Sequence, residues 1–128
     1  MEVDLPQVHA EIAKLFADYE HALVTNDVEK LDAFFWPDAR AIRYGGGENL
    51  YGYEEIAAFR AARPAAGLAR TLERTVVTAF GPDMATTSTL FRRTQAPGKI
   101  GRQMQTWVRF PTGWKIVCAH VSVIDESP

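Results

Sequence analysis

The hydrophobic pattern of the chain changes its period near residue 70, and this change limits the folds that the sequence can adopt. Before it, apolar side chains recur at the spacing of a helix that is buried on one side. After it, segments rich in Thr and Val alternate with turns, as β-strands do. Helices followed by hairpin-connected strands are typical of an α+β domain with an antiparallel sheet.

Capping and turn residues place the predicted elements along the chain. Asp4, with Gln7 three residues later, predicts the start of the first helix. Asn26 and Glu29 form a second capping pair, and Pro37 ends the second helix. The first predicted helix ends before residue 25, the second covers 28–35 and the third covers 53–62. A loop covers 45–52. The predicted strands cover 39–44, 70–80, 84–93, 100–110 and 114–124, which gives the order α-α-β-α-β-β-β-β.

Length and composition favour one soluble globular domain, residues 1–128, with 47% hydrophobic and 23% charged residues. A net charge of −2 argues against nucleic-acid binding, and no apolar run is long enough to span a bilayer. The first residues lack the pattern of a signal peptide, and the single cysteine, Cys118, allows no intrachain disulfide. We therefore expect a cytoplasmic protein that binds neither nucleic acid nor membrane.

The last two predicted strands form a hairpin around Pro111-Thr112-Gly113, and neither of its faces is polar throughout. Pairing Phe110 with Trp114 aligns Thr106 with Cys118 and puts alternate residues on opposite faces. An antiparallel sheet normally keeps one face in water, so both faces here need a cover. We expect helices on one face and a second copy of the chain on the other, which makes a homodimer through the sheet. One face holds Arg102, Met104, Thr106, Val108, Ile116, Cys118, His120 and Ser122, and the other holds Gln103, Gln105, Trp107, Arg109, Lys115, Val117, Ala119, Val121 and Val123.

Tyr19 lies within the apolar stripe of the first predicted helix. It is either a core tyrosine with its hydroxyl bonded at the edge of the core, or a tyrosine whose hydroxyl opens into a pocket. In a pocket, a phenol can donate a hydrogen bond to a developing oxyanion or transfer a proton.

Arg43 is the last but one residue of the predicted strand 39–44, which leads directly into three consecutive glycines, residues 45–47. An arginine on an inner face needs an anion, because an unpaired buried charge is costly. That anion is either a carboxylate of the chain or a carboxylate of a substrate, which a guanidinium can bind with two hydrogen bonds. The glycines allow a tight turn or a close approach of ligand at the mouth of a pocket. The internal candidates for the anion are Glu48, Glu54 and Glu73.

His120, Arg102 and Gln105 are further candidates for the site. Gln105 lies on the sheet face opposite to His120, so a regular sheet cannot present both to one ligand unless a bulge intervenes. A lone histidine in a strand, such as His120, is more often a hydrogen-bonded core residue than a base. His9 and His21 lie twelve residues apart on the first helix and give no metal-ligand spacing. We expect no metal, and the absence of a phosphate loop or dinucleotide motif predicts no cofactor.

Many arginines of the chain are interspersed with acidic residues. We expect most of them on a solvated surface, although one or two could line a pocket for an anion. They are Arg60, Arg63, Arg70, Arg74, Arg92 and Arg93.

Three blocks of the sequence are similar to those of a known family. They are YEHALVTNDVEKLDAFFW, RYGGGENLYGYEEIAAFRAARP and GRQMQTWVRFPTGWKIVCAHVS, and the likeness runs from about residue 8 to 124. Together they resemble the AtzH-like family of the SnoaL-like, nuclear-transport-factor-2-like superfamily. The resemblance implies a cone-shaped cystatin-like fold, in which a curved antiparallel sheet wraps around helix 1 and leaves a pocket at its wide end. The chain departs from the family pattern at Met104 and in its glycine-rich loop at 45–47.

The resemblance also implies a function in the catabolism of urea-derived nitrogen compounds, such as cyanuric acid or oxalurate, often in association with an amidase. The activity attributed to the family converts 1,3-dicarboxyurea to allophanate, by amide hydrolysis or decarboxylation. The family's tyrosine on helix 1 and arginine in the RYG strand end match Tyr19 and Arg43. In this reading, Tyr19 and Arg43 are catalytic, and His120, Gln105 or Arg102 binds the substrate.

Two other functions are compatible with the same sequence. One is a non-catalytic protein that binds a small acid or serves as an amidase accessory. The other is a polyketide-cyclase or isomerase-like enzyme, which rests only on the wider fold. Such an enzyme would need an acidic base in the pocket, and the sequence places none there.

Overall fold

The computed structural model describes residues 1–127, so the last residue of the predicted domain, Pro128, lies outside the described residues. It has the α+β architecture that the change of period predicts. Its helices are α1 (Pro6–Val24), α2 (Val28–Phe34) and α3 (Tyr53–Ala62). Its strands are β1 (Ile42–Tyr44), β2 (Asn49–Tyr51), β3 (Thr71–Phe80), β4 (Met84–Arg92), β5 (Lys99–Phe110) and β6 (Gly113–Asp125).

The described strands form one sheet in the order β2-β1-β6-β5-β4-β3. The predicted antiparallel sheet is present from β3 to β6, whereas β1 runs parallel to β6. Strands β1 and β6 are neighbours although they lie far apart in the chain, whereas β3 to β6 follow one another through short connections. The prediction also missed β2, which pairs antiparallel with β1 inside the segment assigned to a loop.

Strand β1 is shorter than the predicted strand 39–44, because a turn occupies the first part of that segment. The Asp38 carbonyl accepts a hydrogen bond from the Ala41 N–H at 3.2 Å. The Asp38 carboxylate accepts a hydrogen bond from the backbone N–H of Arg40 at 2.8 Å and a second one from Nε of the Arg40 side chain. These local hydrogen bonds compete with strand pairing.

The N-termini of α1 and α2 differ from the capping predictions. Leu5 is the N-cap of α1, and no side chain caps it. Asp4 instead accepts a hydrogen bond from the Ala79 N–H at 2.8 Å, so its carboxylate fixes the N-terminal segment to β3. Asp27, rather than Asn26, caps α2 and accepts from the Lys30 N–H. The bounds predicted for α3 are confirmed.

The β5–β6 hairpin has the predicted pairing far from its turn but not near it. Thr106 pairs with Cys118 as predicted, whereas Trp107 pairs with Ile116, because the register shifts between Thr106 and Trp107. A bulge of this kind moves the following side chains to the other face. Ile116 therefore joins Trp107 in the core, and both are fully buried. The strands are joined through Pro111 and Thr112 alone, since Phe110 pairs with Gly113.

The core lies between α1 and the inner face of the sheet. Helix α1 contacts β3 and β4. The outer face is uncovered in the single chain, where Val76 and Met104 are more than half exposed. Among the described residues, no helix is long and apolar enough to cross a membrane. The buried residues of the core include Val8, Ile12, Tyr19, Ala22, Leu23, Leu31, Phe35, Ile56, Trp107 and Ile116.

Candidate functional site

A group of five arginines lies on the inner side of the sheet, and we call it the arginine cluster. Its members come from β1, α3, the segment after α3 and the ends of strands β3 and β4. They are linked by their contacts with Phe35, Phe59 and Phe91 and by their mutual electrostatic effects. The cluster consists of Arg43, Arg60, Arg63, Arg70 and Arg93.

Three members of the arginine cluster are paired with carboxylates. The side chains of Arg60 and Arg70 are almost fully buried, so their carboxylate partners neutralise charges that water cannot solvate. The pairs are Arg43 with Glu48 (3.0 Å), Arg60 with Asp32 (2.6 Å) and Arg70 with Glu20 (2.6 Å).

Arg63 and Arg93 are the two members that form no ion pair with any of residues 1–127. Burial lowers the pKa of the Arg63 guanidinium, and the positive charges of Arg60, Arg43 and Arg93 lower it further, while Tyr19 raises it. Burial and then the charge of Arg70 lower the pKa of Arg93, which Glu20 raises. Since both arginines keep their charge at neutral pH, the arginine cluster carries two more positive charges than its paired carboxylates balance.

Three buried side-chain nitrogens in residues 1–127 have no hydrogen-bond partner, and all three are N–H donors. They are Nε of Arg63, Nε of Arg93 and Nε2 of Gln103. The Gln103 amide is oriented by Arg70, whose Nη2 donates to Gln103 Oε1 at 3.0 Å and leaves the amide nitrogen free. Buried polar groups are normally hydrogen-bonded, so three donors without acceptors mark the arginine cluster and Gln103 as the candidate functional site.

Tyr19 lies beside this cluster. Its side chain is 4% exposed and packs edge-on against Phe34, with 5.6 Å between the ring centroids. Its phenol acts electrostatically on Arg63, as does the guanidinium of Arg43. No hydrogen bond joins its hydroxyl to another of the 127 described residues. Tyr19 is thus a core tyrosine whose hydroxyl remains free to meet a ligand.

The loop of three glycines determines the partner of Arg43. Glu48 folds back over Gly45, and its Oε1 accepts a hydrogen bond from Arg43 Nη1. A Cβ atom at Gly45 would overlap the Glu48 carboxylate, whereas Gly46 has open space around it. The internal salt bridge considered for Arg43 is therefore present, and Glu48 is its anion. Nη1 makes this bond, so the guanidinium keeps further N–H donors for a ligand.

Comparison with known proteins supports the resemblance in the sequence. The family model described as AtzH-like matches residues 1–127.

The chain belongs to the AtzH-like family.

Two solved structures are similar to this AtzH-like protein over nearly their whole length. One, a protein of unknown function from Pectobacterium atrosepticum, is 57% identical, with a TM-score of 0.94 and coverage of 96% of this chain and 95% of that one. The other, a cystatin-like fold protein from Burkholderia xenovorans, is 48% identical, with a TM-score of 0.94 and coverage of 100% and 99%.

More distant structures share only the fold with the AtzH-like chain. An NTF2-like family protein from Streptomyces avermitilis, named as a candidate dehydratase, is 19% identical over 88% of this chain and 93% of that one, with a TM-score of 0.72. The expected cystatin-like, NTF2-like fold is confirmed. The comparison with the curated proteins finds no match.

The other predicted site residues of the AtzH-like chain lie in two different places. Gln105 is buried on the inner face, where its Oε1 accepts from Thr87 at 3.0 Å, and Thr87 accepts from Trp107 Nε1 at 3.1 Å. Arg102 and His120 are exposed on the outer face. The structure brings neither to the arginine cluster, because the register puts them on the side of Met104 and Tyr44 rather than of Gln105.

Arg63, Arg93 and Gln103 were not chosen by sequence reasoning as site residues. The expectation that most of the arginines lie on a solvated surface is wrong for Arg60 and Arg70, whose side chains are 4% and 1% exposed. The only available signal for Arg63 was its place between a helix and Pro64, and such a position does not reveal which way a side chain points. The face containing Gln103 and Gln105 was a further signal, because two amides on a buried face need partners.

Proposed function

We propose that this AtzH-like protein is an enzyme that acts on a small carboxylated urea or amide, of the 1,3-dicarboxyurea type. Arg43 binds a carboxylate of the substrate, and Tyr19 donates a proton. One observation carries the proposal: Tyr19 and Arg43, which come from α1 and β1, both act electrostatically on the half-buried Arg63. A phenol and several guanidiniums at one place suit an anionic substrate that must accept a proton.

The chemistry needed is cleavage of a nitrogen–carboxylate bond. In decarboxylation, the carbon–nitrogen bond breaks, its electron pair stays on nitrogen, and nitrogen takes a proton from the Tyr19 hydroxyl as carbon dioxide leaves. Tyr19 then regains a proton from water. In hydrolysis, water adds to the same carbon, Arg43 stabilises the developing oxyanion, and the products are bicarbonate and the protonated nitrogen.

These two routes differ in the first product that leaves the enzyme. Stopped-flow measurement with a pH indicator, in the presence and absence of carbonic anhydrase, distinguishes carbon dioxide from bicarbonate. We expect carbon dioxide, because the carboxylates of the arginine cluster are engaged by arginines and none is free to activate water. If the comparison with and without carbonic anhydrase shows that bicarbonate is released first, hydrolysis is favoured instead.

The role of Tyr19 is tested by Tyr19→Phe, which removes only the hydroxyl. Turnover should fall by at least about a hundredfold, which is the usual contribution of a positioned proton donor. The fold should remain, since the packing of the ring against Phe34 is kept. Tyr44→Phe is the matched control, because the Tyr44 hydroxyl bonds to that of Tyr51 and its ring packs beside the exposed His120. Equal turnover in wild type and Tyr19→Phe would reject the role.

A binding protein without turnover is the second candidate, and the unsatisfied donors favour it as much as they favour an enzyme. Calorimetry with a carboxylated urea, combined with product analysis, separates the two. Binding without product would support the anion site and reject the proposed reaction. An isomerase or cyclase is less well supported, because Glu20, Asp32 and Glu48 are all engaged by arginines.

We further propose that two copies of the chain pair through the outer face of the sheet. Met104 is 59% exposed, Val76 54% and Met84 42%, so this face presents large apolar side chains to water. Burial of such side chains stabilises association by about 25 cal/mol per Å² of apolar surface. A cytoplasmic location and a functional link to an amidase remain predictions from the sequence.

A further inference from the structure

We propose that Arg63, Arg93 and Gln103 form a second anion site, separate from Arg43, that binds another carboxylate of the substrate and so determines its specificity. This inference rests on the proposed function, because that function assigns the first carboxylate to Arg43. It adds residues from the α3 end, the β4 end and β5, none of which belongs to the pair of Tyr19 and Arg43.

The first argument is the chemical type of the unsatisfied groups. Each of the three residues has a buried nitrogen that donates and finds no acceptor within residues 1–127. A carboxylate offers two oxygens with about four acceptor positions, and such acceptors are what all three donors lack. A neutral apolar ligand would leave them unsatisfied, at a cost for each donor.

The second argument is charge. Arg43, Arg60 and Arg70 have carboxylate partners, whereas Arg63 and Arg93 have none among residues 1–127. Glu20, which acts on Arg93, already makes two hydrogen bonds with Arg70, through Nε at 2.8 Å and Nη2 at 2.6 Å. Arg63 Nη2 reaches only the neutral Asn26 Oδ1, at 3.5 Å. Two half-buried guanidiniums without carboxylate partners destabilise the free protein, and a bound anion relieves that cost.

The third argument is that the structure holds Arg93 and Gln103 in place. Arg70 and Arg93 both stack on the Phe91 ring, with 4.4 Å and 4.7 Å from guanidinium carbon to ring centroid. Arg70 also bonds to Gln103, so its ion pair with Glu20 supports the neighbouring donors. A ligand that enters this site therefore meets groups that are already oriented, which reduces the entropy lost on binding.

The test uses malonate, which has two carboxylates, and malonamate, in which an amide replaces one of them. We expect wild type to bind malonate at least about tenfold more tightly, since hydrogen bonds to a charged group are the stronger kind. Arg63→Met and Arg93→Met should each weaken malonate binding by at least about tenfold and change malonamate binding much less. Arg40→Met is the matched control, because Arg40 is exposed and pairs with Asp38, and its affinity should equal that of wild type. Calorimetry gives all of these values.

A second measurement separates binding from a structural role. Arg63→Met and Arg93→Met should unfold at the same or a higher temperature than wild type without ligand, because each removes an unpaired charge. Malonate should raise the unfolding temperature of wild type more than that of either variant.

Three results would overturn the second anion site: no preference of wild type for malonate, affinities of both variants within about twofold of wild type, or failure of both variants to fold. The proposed reaction can fail separately. If carboxylated ureas give no product but malonate binding still depends on Arg63 and Arg93, the reaction is rejected and the anion site stands.

Discussion

The Glu48 carboxylate occupies the space that a Cβ atom of Gly45 would need. The backbone holds it there, because the Gly45 N–H donates to the Glu48 carbonyl at 2.9 Å and the Gly47 N–H donates to Oε2 at 3.1 Å. From this position Glu48 pairs with Arg43, whose side chain is 12% exposed. The glycine loop therefore determines which carboxylate of the chain pairs with Arg43.

Replacing Gly45 by alanine should push the Glu48 carboxylate away from Arg43. The obstacle is the end of a flexible side chain, so we expect little change in the free energy of unfolding. Binding of malonate should tighten by about two- to fivefold, since loss of a competing ion pair is worth on the order of 1 kcal/mol. Glu48→Gln should act in the same direction. Calorimetry measures the affinity, and Gly46→Ala is the control because that site is open. Weaker binding in both variants would mean that Glu48 orients Arg43 instead of competing for it.

Gly101 has a similar relation to Phe91, its partner across β4 and β5. The Phe91 ring covers Gly101, and a Cβ atom there would collide with the ring. Gly101→Ala should therefore destabilise the protein by about 1–3 kcal/mol through overpacking. It should also weaken malonate binding, because the ring supports Arg70 and Arg93. Urea unfolding and calorimetry check the two effects. Wild-type affinity in a clearly destabilised Gly101→Ala would show that the Phe91 ring does not position the arginines.

The sequence predicts the elements well where a single period decides them. Helix α3 has its predicted bounds, and the bounds of β3 differ from the prediction by a single residue. The register near the final turn was not predictable, because a bulge after Thr106 depends on how Trp107 and Ile116 pack in the core. Tyr19 and Arg43 could be selected because one lies in an apolar stripe and the other precedes a glycine loop. Arg63 lies beyond the end of α3, and Arg93, the last residue of the predicted strand 84–93, lies beyond the end of β4, so the periodicity of these elements does not fix the direction of either side chain.

The proposed homodimer gives a prediction for the outer face. Met104→Asp places a charge at the centre of β5 on the face that the second copy would cover, and burying an unpaired charge is costly. We expect the variant to be monomeric by sedimentation velocity at concentrations where the wild type is dimeric. Lys14→Ala is a suitable control, because Lys14 lies on α1 with its side chain 77% exposed. A monomeric wild type, or a dimer that Met104→Asp leaves intact, would refute this interface.

Asp38 should make folding sensitive to acid. The Arg40 side chain and then the Arg40 N–H hydrogen-bond its carboxylate and lower its pKa from 3.8 to about 2. A carboxylate with a depressed pKa in the folded state stabilises the protein above its unfolded pKa, and this contribution is lost as the pH falls toward the folded value. Wild type should therefore be more stable than Asp38→Asn at about pH 6, and the difference should shrink between about pH 4 and pH 2. Urea unfolding across this range measures it. In an Arg40→Met background the difference should be smaller at every pH, because the largest cause of the shift is gone; a difference that is independent of pH in both backgrounds would contradict the assignment.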